Sequence, residues 1–92
     1  MVTGSSTSME HGMISIDWVS VWHKPELVIE EIYAAGLSRD VAAHVEQIAG
    51  PGGGNPLVTL QGSKEVIKDF YVNIYMGGEV GAELDFEQFW KS

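Results

Sequence analysis

His44-Val45-Glu46 forms an H-x-E triplet, a fragment that zinc deaminases use for a metal ligand and a proton-transfer carboxylate. That chemistry also needs a P-C-x-x-C segment, and the chain has no cysteine. No H-E-x-x-H pair takes its place. His44 follows Asp40 by four residues, so on a helix the two would share one exposed face. His11 lies in a polar N-terminal stretch, and His23 sits at the end of a predicted strand.

The glycines invite a test for phosphate binding. A phosphate loop follows a strand and opens a helix, so that helix amides meet the anion. Gly52, Gly53 and Gly54 follow a predicted helix and precede a predicted strand, which is the reverse order. The run reads as a connector, with close approach of a ligand to its backbone as the functional alternative. Gly62-Ser63-Lys64 does stand between a strand and a helix, but its Lys and Ser are inverted relative to a Walker loop, and Leu57 occupies the place of the first glycine. Ser63 reads as a helix cap. An anion or nucleotide held at that helix N-terminus is the alternative, and with it a small enzyme or ligand binder.

No G-x-S-x-G elbow is present. Glu30 and Glu31 are adjacent and point apart on a helix, so they make no acid–base dyad. The sequence nominates no catalytic, cofactor-binding or metal-ligating residue. An enzyme would require a constellation that only folding assembles.

Charge is the stronger signal. Thirteen acidic and five basic residues give a net charge of −8. Such a surface repels phosphate backbones and anionic membranes, and it favours a basic protein partner. Glu26, Asp40 and Glu65 fall in predicted helix first turns, and Asp85 is a candidate cap. The remaining acids are dispersed except near the C-terminus. There Glu79, Glu83, Asp85 and Glu87 are opposed only by Lys91. This cluster is the candidate partner-binding site, able to mimic phosphates in the groove of a nucleic-acid-binding protein. Trp22 and Trp90, near element ends, are the candidate anchors, whereas Trp18 is assigned to the core. The function expected is a small acidic protein–protein interaction module, acting as an inhibitor or regulator of a basic protein.

The elements that must position these residues fit one small domain. A chain of 92 residues buries only about 60–65% of its unfolded surface, which leaves room for a shallow groove rather than an enclosed pocket. Residues 1–12 read as a flexible tail, part of which need not be native, and residues 13–92 as a single α+β domain. Lack of cysteine, of a signal-like N-terminus and of any long apolar run favours the cytoplasm.

Met13–Trp22 is a predicted strand with Ile14, Ile16, Trp18 and Trp22 on one face. Its second half is apolar on both faces, which predicts double-sided burial or a bulge. Pro25 opens a helix with Val28, Ile29, Ile32, Tyr33 and Ala35 on its apolar stripe, ended by Gly36 and Leu37. Ser38 caps a second helix through Val41, Ala42, Val45 and Ile48, closing an αα corner before Gly50 and Pro51. Leu57–Leu60 is a second strand. Ser63 opens a third helix with Val66, Ile67, Phe70, Tyr71, Ile74 and Tyr75 on its broad face, stopped by Gly77 and Gly78. Residues 79–84 could add an edge strand, and Asp85 a last turn carrying Phe86, Phe89 and Trp90. The expected order is β-α-α-loop-β-α, with a two- or three-stranded sheet packed on helices. Two strands rarely suffice. A third must come from the C-terminal stretch, the N-terminal tail or a second copy of the chain, which admits a homodimer.

Overall fold

The computed structural model describes residues 10–48 and 54–92. Strand β1 (His11–Asp17) starts within the stretch expected to be tail and alternates as an amphipathic strand should. Ile14 and Ile16 are buried, while Ser15 and Asp17 face outward. The Trp18 amide donates to the Pro56 carbonyl at 2.9 Å, and the ladder then stops. Proline has no N–H with which to continue it, and the partner strand begins only at Leu57. Residues 19–22 are therefore neither buried on both faces nor bulged, contrary to expectation. They form a loop in which Val19 and Val21 are 77% and 79% exposed.

Helix α1 (Pro25–Ala35) follows its sequence closely. Pro25 occupies the first turn, Glu26 lies beside it, and Val28 and Ile32 are fully buried. Gly36, at φ 135°, ends the helix with the Leu37 amide bonded to the Ile32 carbonyl and its own amide to Tyr33. Leu37 is buried as the apolar contact of that stop.

The next segment overturns the predicted second helix and αα corner. Residues Ala42–Gln47 form strand β2. The Ser38 hydroxyl does accept a local amide, that of Asp40 at 3.2 Å, but it builds a turn rather than a cap, and Val41 N–H closes that turn on the Ser38 carbonyl. Two periods fit this stretch. The stripe Val41, Ala42, Val45, Ile48 suits a helix. The alternation of Val41, Ala43 and Val45 with Ala42, His44 and Glu46 suits a strand. Val41 is buried and Ala43 and Val45 half-buried, while the other three are exposed. The strand prevails because β3 gains a second partner. His44 and Asp40 consequently share no helix face.

Strand β3 (Leu57–Ser63) is central in the order β1-β3-β2, with both pairings antiparallel. Ile14 lies opposite Leu60 and Ile16 opposite Val58. On the other side Ala43 and Val45 face the same two residues, and a bulge follows between Val45 and Gln47. The third strand thus comes from within the chain, from residues read as helical, so no second copy is needed to complete the sheet.

Helix α2 (Lys64–Phe70) continues directly into a wider π turn, Tyr71–Tyr75, in which Met76 N–H reaches back five residues to the Tyr71 carbonyl. The wider turn leaves Ile74 exposed, although regular helical spacing would put it on the buried face. Helix α3 (Ala82–Phe89) begins at Gly81, four residues ahead of the expected Asp85 cap. No strand forms over residues 79–84. A single bridge pairs Lys91 with Met13 instead. The result is an α+β domain of order β-α-β-β-α-α, with helices on one face of a three-stranded sheet and the other face solvated. The core joins Ile14, Ile16, Val58 and Leu60 to Val28, Ile32, Ile67, Phe70, Tyr71 and Phe86.

Candidate functional site

Among the described residues no polar or charged side chain is buried, apart from the Tyr71 ring, and none forms part of a cluster able to hold a metal ion. No helix among them is long and apolar enough to cross a membrane. The chemically distinctive surface is a pair of grooves on either side of α2. The larger is an open cleft of about 840 Å³ at one end of the sheet. Its apolar wall is Val41, Val66 and Phe70, and its polar lining includes His11, Ser38, Ser63, Asp40, Glu65 and Asp69. The smaller, about 240 Å³, is lined by Glu65, Lys68, Asp69, Val72, Asn73 and Glu83. Glu65 and Asp69, one turn apart on α2, belong to both. Acidic side chains therefore run continuously from Asp40 across α2 to Glu83.

Ion pairing leaves this tract unneutralised. Arg39 is held by Glu30 at 3.3 Å and lies over the Tyr33 ring. Lys64 and Lys68 both engage Glu87, at 2.9 and 3.5 Å. Three of the five basic side chains are thus occupied by two acids. Asp40, Glu65, Asp69 and Glu83 have no cationic partner among the described residues, though Asp69 accepts a bond from Asn73 Nδ2 at 2.9 Å.

The predicted acidic cluster falls in and just before α3, with Glu83 and Glu87 one turn apart on it and both beside Lys68. Glu79 precedes α3, Asp85 lies on the Tyr71 side, and Glu83 joins the groove. Glu87 works inside the fold. The Lys64 hydrogen bond holds its carboxyl below the usual 4.5, with Lys68 adding to the effect. The same bond raises the Lys64 ammonium. Glu87 tethers α3 to α2.

The two tryptophans also part ways. Trp90 is half-buried, stacks on Phe86 at 5.3 Å and donates from Nε1 to Glu10 at 3.2 Å. Trp22 remains 46% exposed beside Val19 and Val21. Trp18 is half-buried, stacks on Phe70 and donates to Glu31 at 3.0 Å.

The anion alternative finds little support in the geometry. Ser63 stands at the N-cap position of α2, but its hydroxyl makes no capping bond. The first helical amide, that of Lys64, already donates to the Glu10 carbonyl at 2.8 Å. Glu65 and Asp69 would repel an anion at that turn. In the glycine run, Gly52 and Gly53 lie outside the described residues, as do Gly50 and Pro51, and Gly54 is exposed. His44 has Glu46 as its neighbour at 3.9 Å on the solvated face of the sheet. Comparison of the chain with family models, curated proteins and solved structures finds no match.

The charge balance in the sequence pointed to an acidic surface, and of the four acids lining these grooves only Glu83 was among the residues it singled out. Asp40 and Glu65 have a sufficient local explanation as first-turn residues, which hides them. The available signal was the repeat Glu65, Asp69, Asn73, a polar stripe at helical spacing along α2 and into the π turn that follows it.

Proposed function

We propose that this protein is a small acidic interaction module that binds a basic protein partner through the grooves flanking α2. The observation that carries the reading is the unpaired tract of Asp40, Glu65, Asp69 and Glu83. Carboxylates in a concave, partly apolar setting attract lysine and arginine side chains and reward their aliphatic stems with contact. Trp22, Val19 and Val21 offer a separate apolar anchor, in the loop that follows the other end of β1. A partner that normally grips phosphates would be blocked while so engaged, which gives the module the character of an inhibitor or regulator.

The test is affinity capture from lysate at low and high salt with wild type and with D40N/E65Q/D69N/E83Q. The expected result is a set of basic proteins retained by wild type, lost in the variant and released by salt. Equal capture of the same proteins by both would refute the acidic-groove reading. Adding competing nucleic acid to the wild-type capture addresses regulation: displacement of the captured protein supports mimicry, and indifference removes it.

A further inference from the structure

We propose that the outer edge of β2 receives an extended segment of the basic partner as a fourth strand, whose basic C-terminal end runs into the acidic cleft; this rests on the binding function proposed above. The direction of the backbone groups follows from the opposite side of the sheet. Met13 exchanges both its backbone bonds with Lys91, at 2.7 and 2.9 Å, on the side away from β3. In an antiparallel ladder the inward and outward residues alternate. Gly12, Ile14 and Ile16 therefore bond to β3, and their partners Gly62, Leu60 and Val58 turn their groups toward β1. Gln61 and Thr59 turn theirs toward β2, where they meet Ala42 and His44. The N–H and C=O of Ala43 and Val45 are left facing away from the sheet.

That open stretch has defined limits. Val41 is in the same phase, but its carbonyl takes the Tyr33 hydroxyl and its amide donates to Ser38. Beyond Val45 the register shifts at the bulge. Four backbone groups remain, on two residues, and neither they nor Ala42 carries a bulky side chain able to block a neighbouring strand. Strand addition to such an edge takes affinity from the main chain and specificity from alternate side chains.

Charge identifies the occupant. Asp40 and Glu46 bracket the open stretch, and a second copy would bring one net charge of −8 against another. The cleft lined by Asp40 and Val41 begins where β2 begins. An antiparallel segment travels toward that end, so its last residues enter the cleft. Residues opposite Ala43 and Val45 would lie on the helix-covered face and be apolar. Those beside His44 and Glu46 would lie on the solvated face and be basic.

The probe is a peptide of three Val-Lys repeats followed by two arginines, with an arginines-first version as control. Amide exchange by NMR should show Ala43 and Val45 slowed by about tenfold or more with the peptide. Affinity should fall by about tenfold in A43P and for the control peptide. Proline at an outward N–H of an edge strand is compatible with folding. If A43P fails to fold, exchange in wild type decides. Binding that is weakened by D40N/E65Q/D69N yet leaves Ala43 and Val45 exchange unchanged would overturn strand addition and leave the acidic-groove reading standing. No binding of the peptide to wild type would overturn the proposal, while the groove reading would still be judged by its own capture experiment. Protection that grows with protein concentration without peptide would assign the edge to a second copy and overturn it as well.

Discussion

The two outer strands of the sheet solve the same problem differently. β1 is closed by one bridge to Lys91, and β2 is left open over Ala43 and Val45. An unpaired edge invites further pairing. On the β1 side the closure is cooperative. The Gly12 backbone lies so near that a Cβ there would stand 2.2 Å from the Lys91 carbonyl oxygen. Trp90 stacks on Phe86 and bonds Glu10, and Glu87 binds α3 to α2 through two lysines. On the β2 side only a short length, a bulge, the Tyr33 bond to Val41 and the flanking Asp40 and Glu46 limit pairing. Closing an edge thus takes a glycine, an aromatic pin and an ion pair acting together, and β2 has no such set among the described residues.

The largest expected effect breaks the closed side. Trp90→Ala removes the stack and the Glu10 bond and should cost about 2–3 kcal/mol in a denaturant titration. Gly12→Ala comes next. Its methyl would collide with backbone, so the C-terminal residues must move away, at about 1–2 kcal/mol. A shifted tryptophan emission maximum would report the release of Trp90, and unchanged stability would show that Gly12 is not required for closure.

A matched pair of prolines sharpens the contrast. Met13→Pro deletes a bonded amide and should lose about 1 kcal/mol more than Ala43→Pro, which deletes an outward one. Equal losses would mean that the β2 edge is already paired.

The smallest effect is the acid limb. Glu87 titrates below 4.5 in the fold because of Lys64 and Lys68. Its stabilisation is therefore present above that value and fades as pH falls through the lowered one. Glu87→Gln should flatten this part of the stability–pH curve, and an unaltered curve would deny the tether.

Local signals made some regions legible and misled in others. Pro25, the Val28–Ile32 stripe and the Gly36-Leu37 stop specify α1 without outside help. Ile14 and Ile16 reveal the inner face of β1. The stretch around His44 satisfies two periods at once, and only the hydrogen-bonding need of β3 selects between them, which is a tertiary fact. The candidate site was masked for a related reason. Of Glu79, Glu83, Asp85 and Glu87, neighbours in sequence, Glu79 precedes α3 and Asp85 lies toward Tyr71, while Glu83 and Glu87 share one side of the helix, where Glu87 is taken by Lys64 and Lys68 and Glu83 lines the groove. Asp40, Glu65 and Asp69 are separated along the chain and meet through packing. Trp90, taken as an anchor for a partner, anchors its own terminus.

The rung between residues 13 and 91 has a bearing on biosynthesis. Ribosomes complete β3, and with it the sheet, before Lys91 exists, so between those two points both margins of the nascent sheet lack a neighbour. Joining sites this far apart carries a loop-closure entropy that grows only logarithmically with length, so the separation slows this rung more than it weakens it. Proteolytic clipping just ahead of Trp90 would restore that immature condition, and the trimmed product is expected to self-associate more readily than the intact one.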